Sequence, residues 1–64
     1  MQLNLKAARA NKGYTQKEAA RLIGVNQGTL SNYERGKTYP KVPILERISL
    51  VYGIDYNELI FLQS

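Results

Sequence analysis

A chain of 64 residues is long enough for one domain and too short for two, since a smaller unit could not bury enough apolar surface to fold alone. It contains no Cys and no His, which excludes disulfide frameworks, the common zinc fingers, thiol nucleophiles and imidazole general bases. Nine Lys and Arg against five Asp and Glu leave a net charge of +4, a balance that favours polyanionic partners such as nucleic acid or acidic lipid.

The first helix is expected over residues 3–12, where Leu5 and Ala8 alternate with Lys6, Arg9 and Lys12 and Gly13 follows as a stop. Thr15-Gln16-Lys17-Glu18 fits a capping box. In that motif the Thr15 hydroxyl accepts the third helical N–H and the Glu18 carboxylate reaches back to the Thr15 backbone. Ala19, Leu22 and Ile23 recur at helical spacing, so residues 15–23 read as a second helix. Gly24 permits a sharp turn and Val25 is placed to plug the corner, which joins this helix to the next as a helix-turn-helix.

The third helix is bounded by Asn26 as N-cap and by Gly36, which suits a left-handed C-terminal position. At 100° per residue, Leu30, Tyr33 and Glu34 share one face, whereas Gly28, Ser31, Asn32 and Arg35 lie opposite. The first face suits a core. The second carries amides, a hydroxyl and a guanidinium, which can read base edges or bond phosphates, so this helix is a candidate reader of DNA.

Residues 37–42 read as a loop, because Pro40 and Pro43 bias their predecessors away from helix. Pro43 suits the first turn of a fourth helix, in which Leu45, Ile48, Val51 and Tyr52 form a buried stripe before Gly53. Asp55 three residues before Glu58 imitates a capping box and predicts a fifth helix through Leu59, Ile60 and Leu62. No strand pattern competes along the chain, and there are no repeats or linkers. The expected fold class is therefore all-α, a compact five-helix single domain over residues 1–64.

These residues resemble the phage-repressor and Cro type of helix-turn-helix domain, the XRE family, over residues 5–60. The resemblance rests on Arg9, Gly13, Thr15-Gln16-Lys17-Glu18-Ala19-Ala20, Leu22, Gly24-Val25, Glu34-Arg35-Gly36-Lys37, Pro40, Leu45, Ile48, Gly53-Ile54 and Leu59. It implies a lambda-repressor-like fold in which the second helix of the motif enters the major groove and the first crosses the phosphate backbone.

Carried onto matching positions, the resemblance makes Gln27, Gly28, Ser31 and Asn32 the base-facing set. Gln or Asn can bond the N6 and N7 edge of adenine. Gly28 departs from the family, where a long polar side chain is common. A glycine inside a helix costs about 0.5 to 1 kcal/mol relative to alanine, and either close approach of DNA or loss of one base contact accounts for it. Gln16 opens the second helix, where free N–H groups and the positive helix end attract phosphate. Arg35, Lys37, Thr38 and Lys41 flank the reading helix and would neutralise phosphates without reading sequence, the alternative being solvated surface. The resemblance also pairs Arg9 with Glu34 as a structural ion pair, consistent with the inward position of Glu34. Tyr33 and Tyr52 read as core aromatics rather than stacking platforms.

The expected function is a sequence-specific transcriptional regulator, a repressor that binds double-stranded DNA at an inverted-repeat operator as a homodimer. The resemblance points to Val42, Ile44, Tyr56, Ile60 and Phe61 as dimer contacts, with ordinary core positions as the alternative for some. The rival reading is an antitoxin-like or anti-repressor interaction module that keeps the fold without reading DNA. An enzyme is not expected, because the carboxylates are taken up by caps or the ion pair. No catalytic residue, metal, cofactor or small-molecule ligand is evident, and no apolar run approaches the roughly 20 residues that cross a bilayer. Residues 1–6 lack the features of a secretory signal, so a cytoplasmic address is expected.

Overall fold

In the computed structural model, residues 3–55 and 59–60 are described, the latter pair and Leu3 by backbone alone. The order of elements is β1 (Leu3–Asn4), α1 (Leu5–Asn11), α2 (Gln16–Ile23), α3 (Gln27–Glu34), α4 (Val42–Tyr52) and β2 (Leu59–Ile60). The architecture is helical, with four helices among the described residues rather than five.

Each helix starts where a side chain satisfies its free N–H groups, or where a proline removes one. Asn4 Oδ1 accepts from Ala7 N at 2.7 Å, so α1 begins at Leu5 and not at Leu3. At α2 the capping box is complete. Glu18 N donates to Thr15 Oγ1 at 3.0 Å and Thr15 N donates to Glu18 Oε1 at 2.8 Å. Those bonds, backbone first, hold the Glu18 carboxyl below its ordinary pKa. Asn26 Oδ1 accepts from both Thr29 N and Thr29 Oγ1 at 2.8 Å at the head of α3. In α4, Lys41 makes no side-chain cap and Pro43 lies in the first turn.

The expected fifth helix is corrected. Tyr56, Asn57, Glu58, Phe61 and Leu62 lie outside the described residues, but Leu59–Ile60 is extended and pairs in parallel with β1. The register sets Leu3 opposite Leu59 and Asn4 opposite Ile60. The expectation that no strand would form fails for the same reason. A two-residue strand has no periodicity of its own, and its partner lies more than fifty positions away in the chain.

The core gathers Leu5 and Ala8 from α1, Ala19, Ala20 and Ile23 from α2, Leu30 and Tyr33 from α3, and Ile48 and Tyr52 from α4. Tyr14, Val25, Ile44, Leu45, Val51 and Ile54 pack partly against it. Leu22 does not join them. It is 48% exposed, and Ala20 takes the inward position of α2 in its place. No helix among the described residues is long and apolar enough to cross a membrane.

Tyr52 brings a phenol into this core, where its hydroxyl finds no hydrogen-bond partner among the described residues. Burial pushes its pKa up to about 12; the nearby Glu34 carboxylate adds to the rise and Arg9 opposes it. The folded value exceeds the ordinary 10.0, so stability tied to the neutral phenol is complete below pH 10 and is lost as pH rises toward 12. Tyr52→Phe is expected to leave the neutral-pH melting temperature unchanged or higher and to remove that alkaline loss. Parallel melts of both proteins across this range check it; an identical alkaline decline in each rules Tyr52 out as its source.

Candidate nucleic-acid interface

The turn between α2 and α3 fixes how the two helices meet. Gly24 adopts φ 94°, a left-handed conformation that an L side chain rarely takes, and donates its N–H to Ala20 O at 2.8 Å. Val25 N also donates to Ala20 O, at 3.0 Å. A Cβ at Gly24 would sit 3.0 Å from a guanidinium nitrogen of Arg47, which itself donates to Ile23 O at 3.5 Å. The far end of α3 closes at Gly36, φ 74°, with Lys37 N donating to Asn32 O at 3.0 Å. These closures make α2 and α3 a helix-turn-helix with defined ends.

Helix α3 is anchored through Leu30 and Tyr33, which are buried. On its other side Gln27 and Gly28 are exposed in the first turn, while Ser31 and Asn32 are half-buried. An added Cβ at Gly28 would meet nothing closer than Asn26 Oδ1 at 3.6 Å, so the protein's own packing does not require glycine there. Arg35 is exposed at the C-cap and donates from its guanidinium to Asn32 Oδ1 at 3.1 Å. Lys37, Thr38 and Lys41 lie exposed on the segment between α3 and α4.

Behind this surface a polar network ties three helices. Arg9 Nε donates to Glu34 Oε2 at 2.7 Å and a terminal Arg9 nitrogen donates to Glu34 Oε1 at 3.3 Å. The other terminal nitrogen donates to Tyr14 O at 3.0 Å. The hydrogen bond to Glu34 raises the Arg9 pKa against the opposing effect of burial. Gln16 Nε2 donates to Glu34 Oε1 at 3.0 Å, and Gln27 Nε2 donates to Gln16 Oε1 at 3.5 Å. Gln16 is thus tied to the protein interior as well as placed at the head of α2.

Lys6, Arg9, Gln16, Ser31, Glu34 and Arg35 line one cleft. Arg9 neutralises the single carboxylate there, which leaves Lys6 and Arg35 as surplus positive charge. Lys6 was missing from the set expected from sequence. Its position three residues before Arg9, and so on a neighbouring part of the α1 surface, was the available signal.

The expected dimer contacts that are described belong to different elements, Val42 and Ile44 to α4 and Ile60 to β2. Val42 is 63% exposed, whereas Ile44 is half-buried and packs in part on the core. Ile60 is in β2, opposite Asn4, and Tyr56 and Phe61 lie outside the described residues.

The family described as Helix-turn-helix matches residues 5–59. The HTH-type transcriptional regulator ImmR of Bacillus subtilis is 41% identical over 56 residues, which cover 88% of this chain and 44% of that protein. The cryptic phage CTXphi transcriptional repressor RstR of Vibrio cholerae is 35% identical over 52 residues, covering 81% of this chain and 47% of the repressor. An uncharacterized HTH-type transcriptional regulator of Bacillus subtilis, YazB, is 34% identical over 55 residues, 86% of this chain and 80% of its own length. The chain thus spans about half the length of ImmR and RstR. No solved structure matches it. With the family match running from the first turn of α1 to β2, the chain belongs to the helix-turn-helix family of the phage-repressor and Cro type, which includes transcriptional regulators and phage repressors.

Proposed function

We propose that this chain is a sequence-specific DNA-binding regulator that represses from an inverted-repeat operator as a homodimer, in the cytoplasm and without a cofactor. The observation that carries the reading is the two-sided α3. Leu30 and Tyr33 hold it to the core, while Gln27, Gly28, Ser31 and Asn32 remain at or near its surface. In the docking geometry of this family such a helix lies in the major groove with its N-terminal half at the base edges. Gln16, Arg35, Lys37, Thr38 and Lys41 then serve the phosphates, where they orient the protein without reading sequence.

Dimerisation follows from the size of the reading surface. One short helix reads too few base pairs to compete with the non-specific sites of a genome, and two-fold doubling supplies the missing discrimination. The half-sites would lie about 34 Å apart, one helical turn, on one face of the duplex. Val42, Ile44, Tyr56, Ile60 and Phe61 are the proposed dimer contacts. The name of RstR as a repressor supports the direction of regulation.

Selection of bound duplexes from a random pool at near-physiological salt tests the reading. A recovered palindrome with half-sites one turn apart is the expected result. Recovery of no motif, together with no salt-dependent DNA shift, overturns it in favour of a protein-interaction module. On the recovered site, Asn32→Ala is expected to weaken binding by about 1 to 3 kcal/mol and to relax preference at one base pair. Lys37→Ala should weaken all sequences alike and lower the salt slope by about 1. Equal losses on specific and random DNA for Asn32→Ala would remove it from the reading set.

A further inference from the structure

We propose that the cleft between α1 and α3 is a site for one phosphate of the DNA backbone, held between the Lys6 ammonium and the Arg35 guanidinium. This rests on the reading that α3 lies in the major groove. It adds α1 to the interface through Lys6, since the other cation of α1 in the cleft, Arg9, is taken by its ion pair with Glu34.

Lys6, Arg9 and Arg35 line the cleft against a single carboxylate, Glu34, which leaves a surplus of positive charge. Glu34 offers an incoming anion little repulsion, because its charge is met at close range. Its Oε2 accepts from Arg9 Nε at 2.7 Å, and its Oε1 accepts from Arg9 at 3.3 Å and from Gln16 Nε2 at 3.0 Å. Arg9 is occupied by the same bonds and by Tyr14 O. The exposed groups left in the cleft are Lys6 and Arg35, together with the half-buried Ser31.

Neither cation is used up within the protein. The Lys6 ammonium has no hydrogen bond or ion pair among the described residues. Arg35 gives one N–H to Asn32 Oδ1 at 3.1 Å, and most of its guanidinium donors have no partner among the described residues. Two like charges converging on one opening raise the potential there, and an anion relieves it. A phosphodiester suits the pair, since one of its free oxygens can meet a compact ammonium and the other a planar fork of N–H donors. Arg35 stands at the C-cap of α3. In a helix whose N-terminal half faces base edges, that end meets the backbone. A phosphate held from two helices fixes the tilt of α3 in the groove, whereas one held by α3 alone would let the helix roll.

The test compares wild-type protein with Lys6→Ala, Arg35→Ala and Lys12→Ala on the selected site and on random duplex. Lys12 is an exposed cation at the end of α1 that does not line the cleft, so it controls for lost net charge. Lys6→Ala is expected to bind every duplex about tenfold more weakly, the size of one charge-assisted hydrogen bond, and to lower the salt slope by about 1. Lys12→Ala should stay within about twofold of wild type, its charge being screened from the backbone. Because Lys6 is exposed, its variant should keep the wild-type melting curve.

Single methylphosphonate linkages, each removing one phosphate charge, are then placed in turn around the selected half-site. One linkage is expected to weaken wild-type binding about tenfold and to abolish the penalties of both Lys6→Ala and Arg35→Ala. A Lys6→Ala protein that binds like Lys12→Ala, a Lys6→Ala penalty that persists on every neutral linkage, or a different linkage for each cation overturns the proposal. If DNA is bound without a selected motif, the Lys6→Ala salt slope on random duplex decides. A wild-type protein that shifts no duplex overturns the proposal together with the reading of α3, whereas binding with an unchanged Lys6→Ala slope overturns the phosphate site alone.

Discussion

Arg9→Ala is expected to lower the unfolding free energy by about 3 to 5 kcal/mol. The Arg9 and Glu34 side chains are 15% and 5% exposed, so the pair is largely withdrawn from water and from screening by salt. Removing the guanidinium leaves the carboxylate with only the Gln16 amide as a described side-chain partner, and a buried charge that has lost its counter-ion is costly. It also frees Tyr14 O, which Arg9 occupies. A domain of this length has roughly 3 to 10 kcal/mol of total stability, so the loss takes a large part of it. Each kcal/mol moves the melting midpoint by about 4 to 8 °C at this size, so the variant should melt on the order of 10 to 40 °C lower. Thermal denaturation followed by circular dichroism checks this. The double replacement Arg9→Met/Glu34→Leu should recover most of the loss, because the cost lies in the orphaned charge more than in the missing attraction. A melting temperature for Arg9→Ala within a few degrees of wild type would show that the pair contributes little.

Leu30→Ala should cost about 2 to 5 kcal/mol by leaving a cavity at the centre of the core, where Leu30 has no exposed surface. Its value as a test lies in its position two residues from Asn32 on the same helix. Denaturant unfolding should show a lower midpoint with an unchanged slope, while the fraction still folded at low temperature keeps the wild-type order of base preferences. Asn32→Ala should do the reverse, losing discrimination with little loss of stability. If Leu30→Ala left stability intact, or changed which bases are preferred in folded protein, the division of α3 into an anchoring face and a reading face would be wrong.

The burial of Leu30 and Tyr33 was legible from spacing alone, because helical periodicity puts them on one side of α3 and Ser31 and Asn32 on the other whatever the rest of the chain does. The caps at Thr15 and Asn26 were equally local: each involves a side chain and a backbone group three residues on. Leu22 was misjudged because it stands beside Ile23 at a helix edge, where spacing cannot say how far the apolar stripe reaches. The last segment was misread for a deeper reason. Asp55 and Glu58 imitate a helix start, but Leu59–Ile60 pairs with Leu3–Asn4, and that pairing is a contact between the two ends of the sequence.

The same distinction separates the parts of the candidate interface. Residue types, caps, turns and the two faces of α3 were determined by the sequence itself, since every interaction that sets them spans a few residues. The link from Glu34 through Gln16 to Gln27, the cleft that adds Lys6, and the parallel strand pair were decided only by the tertiary structure. Arg9 and Glu34 are 25 positions apart and Gln16 and Glu34 are 18 apart. Hydrogen bonds over such separations depend on how α1, α2 and α3 pack, and packing is a property of the whole core that no local pattern carries.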